Sequence, residues 1–515
     1  MASAPSVLII GAGFGGLSAA IELRKHGITG IQILEAAPEL GGTWFHNTYP
    51  GAACDIPSHF YSFSFEQRRD WVRLCPMQPD ILAYMHEVSA KYGIDDLITL
   101  DTSVQACEWD ETAQQWTATA ADGRTFSADA LIVAAGQLNR PKFPAIKGLD
   151  TFKGEAFHSA RWNHDLPLAG RRVAVIGSGA SAVQFVPEIA REVGHLSVFQ
   201  RSGSWFMHRW NTPYRPALKW AVKHVPGVQS FRRSFVFHFV EQLTRSIKHP
   251  NTAGRILSVR SRLFMRWQLR GAPELRKKVW PDYPIGCKRI LFTSHFLPAL
   301  RRPNVELVTD AIESIDETGI NTADGRHHDV DTLIYATGFH ATDLMFPMEI
   351  TGAGGEQLSQ TWAEGAHAHL GMTVPGFPSM FVMYGPNTNT SGGSIIYFLE
   401  AQAAYIRQAL KLVQSRGAGG IEVRREVEAR SDRELQARFA GTAWLACDSW
   451  YRNESGRIVT NWPDYMADYR EATRLLNAAD FTLLPAGGAD HAALDAGAHA
   501  SADFGEAAGL EPDPA

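Results

Sequence analysis

Between Ser6 and Gly27 the chain reads SVLIIGAGFGGLSAAIELRKHG: a short apolar run, glycines at positions 11, 13 and 16, then apolar residues at helical spacing. Few folds accept that order. The apolar run suits a strand buried on both faces. Gly11 permits a tight turn, Gly13 lets backbone approach a pyrophosphate, and Gly16 lets helix and strand pack closely. The helix N-terminus then offers unpaired N–H groups and a positive dipole end to phosphate. A second strand, IQILEAA, ends on Glu35, about 20 residues after the glycines, where an acid accepts hydrogen bonds from a ribose.

The pattern recurs in RRVAVIGSGASAVQFVPEIAREVGHLSVFQRS, with the turn Gly177-Ser178-Gly179-Ala180-Ser181-Ala182. Here the following strand ends not on an acid but on Gln200-Arg201. A carboxylate repels the phosphate at an adenosine 2′ position, whereas a guanidinium pairs with it. One site with an acid and one with an arginine point to FAD first and NADPH second. At 515 residues the chain exceeds the size at which single cores stop growing. The expectation is an α/β protein with two Rossmann-like dinucleotide-binding domains and a mostly helical insert. Residues 1–139 and 367–484 form the FAD domain, 140–366 the NADPH domain with an insert at about 205–280, and 485–515 a disordered tail. Later segments fit that plan: Ala135-Gly136 and Ala336-Thr337-Gly338 are small-residue turns after strands, and Gly385-Pro386-Asn387 precedes a helix beginning near Ser394. That helix N-terminus would stabilise negative charge on a flavin, with Asn387 beside the cofactor.

Composition narrows the function classes. Five scattered cysteines without a Cys-x-x-Cys pair read as reduced thiols in a cytoplasmic protein, with no redox disulfide and no metal site. The start MASAPSVLIIGAG lacks a basic region followed by a long apolar segment, and no apolar stretch is long enough to cross a bilayer. The tail from Pro485 carries six acids and no Lys or Arg, a disordered composition. Residues 205–280 carry sixteen Lys or Arg against Glu241 and Glu274, interleaved with aromatics such as Trp205, Phe206, Trp210, Trp220, Phe231, Phe235, Phe237 and Trp267. That mixture fits a peripheral membrane contact, a nucleic acid, or basic faces solvated over an aromatic core. The last is the ordinary arrangement, and no nucleic-acid partner is expected.

Taken together, the chain resembles a class B flavoprotein monooxygenase and, within that class, a Baeyer–Villiger monooxygenase. The most specific match is Phe152-x-Gly154-x-x-x-His158-x-x-x-Trp162, lying between the two nucleotide motifs. The family has Pro or Asp at the next position, where this chain has Asn163. His158 and Trp162 would serve as a linker coupling domain movement to cofactor binding. A second match, GGTWFHNTYPGAACDIPSHFYSFSF, implies that Thr43, Trp44, Asp55 and Tyr61 stand at or near FAD. A third is YPIGCKRI. Neighbours on an extended segment point to opposite faces, and the resemblance implies that Lys288 joins Arg201 on the NADPH 2′-phosphate while Arg289 faces the flavin, oriented by Asp55. A fourth, CDSWYRNESGR, would set Trp450 beside the nicotinamide ribose.

The resemblance implies a reaction as well. NADPH reduces FAD, O2 adds to give a C4a-peroxyflavin stabilised by Arg289, and the peroxide attacks a ketone to give an ester or lactone. The alternative is oxidation of nitrogen or sulfur in a small molecule. Nothing in the residues names the ketone or the oligomeric state.

Overall fold

A computed structural model of the protein describes residues 3–390 and 392–486. The expectation for the acidic tail lies, from residue 487 on, outside the described residues. Two parallel sheets of five strands organise the rest. In the first, the order is Met380–Val382, Ala130–Val133, Val7–Ile10, Ile31–Leu34 and Ile98–Thr99. Alternation along Val7–Ile10 fixes its two neighbours. Val7 and Ile9 face a core with the helices Phe14–Lys25 and Ile395–Arg416, while Leu8 and Ile10 face Trp109 and Trp116 of an antiparallel sheet. The second sheet repeats the construction in the order Val305–Val308, His195–Phe199, Arg172–Ile176, Thr332–Tyr335 and Glu155–His158. Val173 and Val175 pack on the helix Ala182–Ile189, and Ala174 and Ile176 on a second antiparallel sheet around Ile315 and Ile320.

Both central strands end on a glycine whose φ lies in the left-handed region, +105° at Gly11 and +111° at Gly177. A side chain there would strike backbone: a Cβ on Gly11 stands 2.7 Å from Ala134 O, and one on Gly177 stands 2.4 Å from Ala336 O. The two small-residue turns seen in the sequence are therefore the walls against which the glycine loops close.

Between His195–Phe199 and Val305–Val308 runs the expected helical insert, with helices Pro216–His224, Val228–Lys248, Ala253–Gln268 and Pro273–Val279. Its aromatics correct the reading of basic faces over an aromatic core. Trp205 and Phe206 are buried, but Trp210, Trp220, Phe231, Phe235 and Trp267 are each more than half exposed. The inner face of Ala253–Gln268 is filled instead by Gly254, Leu257, Ser261, Met265 and Gln268, which turns Trp267 outward.

A second correction concerns the thiols. Cys54, Cys75 and Cys107 are free, but Cys287 and Cys447 form a disulfide. The two are 160 residues apart in sequence, and the fold brings their Cα atoms to 6.0 Å, a span a disulfide bridges. The bond ties the loop of Lys288 and Arg289 to the loop of Trp450. Among the described residues no helix is long and apolar enough to cross a membrane.

Candidate active site

The C-terminal ends of both parallel sheets open onto one cavity of about 1550 Å³, where open α/β sheets place their ligands. The parallel register sets Leu34 beside Ile10, so Glu35 falls next to the glycine turn. Its carboxylate accepts N–H groups from Ala12 at 2.7 Å and Ala37 at 2.9 Å. Gly11, Gly13, Thr43, Trp44 and Tyr61 line the same wall, and Trp44 Nε1 donates to the Tyr61 hydroxyl at 3.1 Å. Gly16 does not line the cavity; it packs against the turn, and a Cβ there would stand 1.9 Å from Gly11 O.

From the second sheet, Ala180 and Ser181 line the cavity; Gly177, Ser178 and Ala182 do not, and neither does Gly179, which is exposed. Arg201 is exposed two residues past the strand end at Phe199, with no ion pair among the described residues. Lys288 Nζ lies 3.3 Å from Ser202 Oγ, beside Arg201 in the chain, and 4.7 Å from the Tyr283 ring centre. The adjacent Arg289 turns the other way, and its guanidinium meets Asp55 Oδ2 at 3.2 Å. The two neighbouring cations thus point apart, Lys288 toward Ser202 and Arg289 toward Asp55.

Asp55 is held from a second side as well, since Arg209 Nε lies 3.6 Å from Asp55 Oδ1 and Arg209 donates to Cys54 O at 3.0 Å. The side chains of Asp55 and Arg209 are 8% and 11% exposed, whereas that of Arg289 is 44% exposed, on the cavity side. Arg209 is therefore the fixed partner and Arg289 the accessible one. Burial opposes its charge, but Asp55, Tyr451, Cys54 and Tyr384 together outweigh it and hold the Arg289 pKa above its ordinary value. Sequence reading missed Arg209. The only signal was its place in the His-Arg-Trp run after Trp205, one of sixteen cations in that stretch.

The remaining candidates divide. Trp450 lines the cavity with its ring 4.4 Å from that of Tyr451. Asn387 does not: its amide donates to Ile458 O at 2.8 Å and Asn461 O at 3.0 Å, pinning the chain after Trp450, and Asn389 and Thr390 line the cavity instead. His158 ends the strand beside Tyr335, accepts the Ala160 N–H at 3.1 Å, and is kept neutral by burial, which lowers its pKa to about 4. Trp162 packs on Phe157 and Phe185 at 5.2 Å from each. Neither touches the cavity, although Arg161 between them does.

Residues 8–229 match a family model described as pyridine nucleotide-disulphide oxidoreductase. The chain is 40% identical over 509 residues to a Baeyer-Villiger monooxygenase of Streptomyces coelicolor, covering 96% of this chain and 97% of that one. Among solved structures it is similar to an oxidized steroid monooxygenase bound to NADP, with 31% identity and a TM-score of 0.82 over 94% of this chain and all of that one. It is similar also to OTEMO in complex with FAD and NADP, with 26% identity and a TM-score of 0.83 over 94% of this chain and 100% of that one.

Proposed function

The chain belongs to the Baeyer–Villiger monooxygenase family of NADPH-dependent flavoproteins, and on that premise we propose that it inserts one atom of O2 beside the carbonyl of an apolar ketone, with Arg289 as the catalytic cation. The observation that carries this reading is the placement of the Arg289 guanidinium, anchored 3.2 Å from Asp55 yet open to the cavity that Gly11, Gly13, Ala180 and Ser181 also line.

The residues present fit both cofactors. Around the first loop, the Gly13 Cβ position lies 3.7 Å from the nearest atom, Gly42 Cα, leaving backbone bare to the cavity. Gly11, Gly13 and Glu35 would hold the pyrophosphate and ribose of FAD, and Thr43, Trp44 and Tyr61 its ring system. At the second loop a Cβ on Gly179 meets nothing within 4 Å, so the turn is open to a phosphate. Arg201 and Lys288, cations without a carboxylate partner among the described residues, would hold the 2′-phosphate of NADPH. When bound, reduced FAD supplies electrons to O2 and so generates the anionic oxygen nucleophile.

Arg289 stabilises that negative charge without quenching it. A guanidinium carries five N–H donors in a fixed fork and does not give up its proton near neutral pH, so Arg289 would hold an oxygen anion without protonating it. A lysine would keep the charge and lose the fork. Asp55, itself held by Arg209, anchors one terminal nitrogen of the guanidinium, which limits the reorganisation needed as charge develops. Phe239, Val240 and Leu243 of the helix Val228–Lys248 give the cavity an apolar wall, suited to a hydrocarbon-rich ketone rather than a charged substrate. Trp450, which lines the cavity, would stand beside the nicotinamide ribose of NADPH.

The test is product identity. With NADPH and O2, a ketone panel is expected to give esters or lactones faster than a matched sulfide panel gives sulfoxides. Turnover confined to sulfides or amines would overturn the assignment.

A further inference from the structure

The helix Ala253–Gln268 has two apolar faces. Opposite the buried stripe described above, Ile256, Val259, Leu263 and Trp267 recur at spacings of three, four and four residues. They are 64%, 52%, 59% and 57% exposed. A solvated helix face is polar, and contiguous apolar stripes of this kind mark a contact surface. Arg255, Arg260, Arg262, Arg266 and Arg270 flank the stripe, all exposed and none in an ion pair among the described residues. The helix contains no acid.

The stripe is joined to the cavity. Trp210 and His208 line the cavity; their rings lie 5.2 Å apart, His208 lies 5.8 Å from Phe264, and Phe264 lies 6.4 Å from Trp267. On the preceding helix Phe231, Phe235 and Phe239 stand one turn apart at 72%, 63% and 45% exposure, and all three line the cavity mouth.

We infer that the helix Ala253–Gln268 docks on an anionic membrane surface, with Ile256, Val259, Leu263 and Trp267 entering the headgroup–acyl boundary and the flanking arginines meeting lipid phosphates. Charge complementarity selects this occupant. A second copy would press one arginine-rich face against another. Nucleic acid would engage the arginines, but Ile256, Val259 and Leu263 have no ring to stack on bases. Each apolar side chain protrudes by more than half its surface, and a fluid lipid surface conforms to such a ridge without a preformed groove. Docking would leave the phenylalanine-rimmed mouth beside lipid, an access route for an apolar ketone. That consequence rests on the reaction proposed above; the docking does not.

The test is flotation of the FAD-loaded full chain with vesicles of phosphatidylcholine alone or mixed with phosphatidylglycerol. The protein is expected to float with the mixed vesicles, to bind the neutral ones at least about tenfold less, and to be released by salt. Leu263→Asp is expected to cut vesicle binding by about tenfold or more while leaving NADPH oxidation with a water-soluble ketone in vesicle-free solution unchanged. Because that variant could misfold, a second readout uses lipid with brominated acyl chains: it should quench wild-type fluorescence, with the quenched component absent in Trp267→Phe. Wild-type protein that stays soluble with both vesicles, equal binding by Leu263→Asp, or unchanged quenching in Trp267→Phe overturns the proposal. Tight binding to duplex DNA that survives Leu263→Asp would assign the face to nucleic acid and overturn it as well.

Discussion

Asp55 holds two guanidiniums, and their exposures assign their tasks. A carboxylate that is 8% exposed needs permanent compensation, and Arg209, itself 11% exposed, provides it whatever Arg289 does. Replacing Arg209 with methionine leaves Asp55 with one cation and should draw Arg289 toward it. Ester formation is expected to fall by about tenfold or more, with a Michaelis constant for NADPH close to wild type and partial rescue by lysine. Steady-state kinetics on both substrates measures this, and an effect on NADPH alone would contradict it. Arg201 makes no ion pair among the described residues, so Arg201→Ala should raise the Michaelis constant for NADPH by about tenfold or more and leave that for NADH almost unmoved. Equal effects on both would remove the phosphate contact. Residue-scale legibility was uneven for a physical reason. Glu35 announces itself because parallel register sets the strand end beside the glycine turn. Arg209 does not, because nothing local separates one cation of sixteen from its neighbours, and its partner, Asp55, is remote in sequence.

At the scale of elements, the strand–turn–helix units were readable because every residue in them answers to a local constraint. The first helix starts at Phe14 and the second at Ala182, two positions later relative to the first glycine of each loop. Ala182 is therefore accommodated where a Cβ on Gly16 would meet Gly11 O at 1.9 Å. Gly16→Ala should yield protein purified without bound flavin, read from the visible absorbance; full flavin content would contradict the packing argument. The disulfide lay beyond local reading, since 160 residues separate its cysteines and only the packing of two loops unites them. Thiol titration of the denatured, unreduced chain is expected to find the three free cysteines, Cys54, Cys75 and Cys107. Finding all five of the sequence would contradict the bond. Asn387 shows the converse limit: the glycine–proline turn located the element, but a left-handed φ of +55° aims its amide at the segment 458–461 instead of the cavity.

At the scale of the whole molecule, two parallel sheets of one construction turn their strand ends toward a shared cavity, and that much followed from the repeated glycine pattern. How the insert covers the cavity did not, because its helices carry apolar residues on more than one face. Burial also gives the molecule an acid-sensitive core. His59 and His158, each 2% exposed, have pKa values lowered by burial from 6.5 to about 4. The unfolded chain binds protons at these sites first. Their contribution to stability is complete above about 6.5 and declines as pH falls toward about 4. The melting temperature should drop across that window, and His158→Asn should flatten part of the drop; a melting temperature independent of pH there would contradict the burial argument. The central claim is that Arg289 acts on oxygen rather than on NADPH. Its most direct test is Arg289→Ala followed by rapid mixing, with flavin reduction and ester yield measured on the same preparation. The account predicts reduction by NADPH near the wild-type rate and ester formation lower by about a hundredfold or more. Ester formation near the wild-type rate would contradict it.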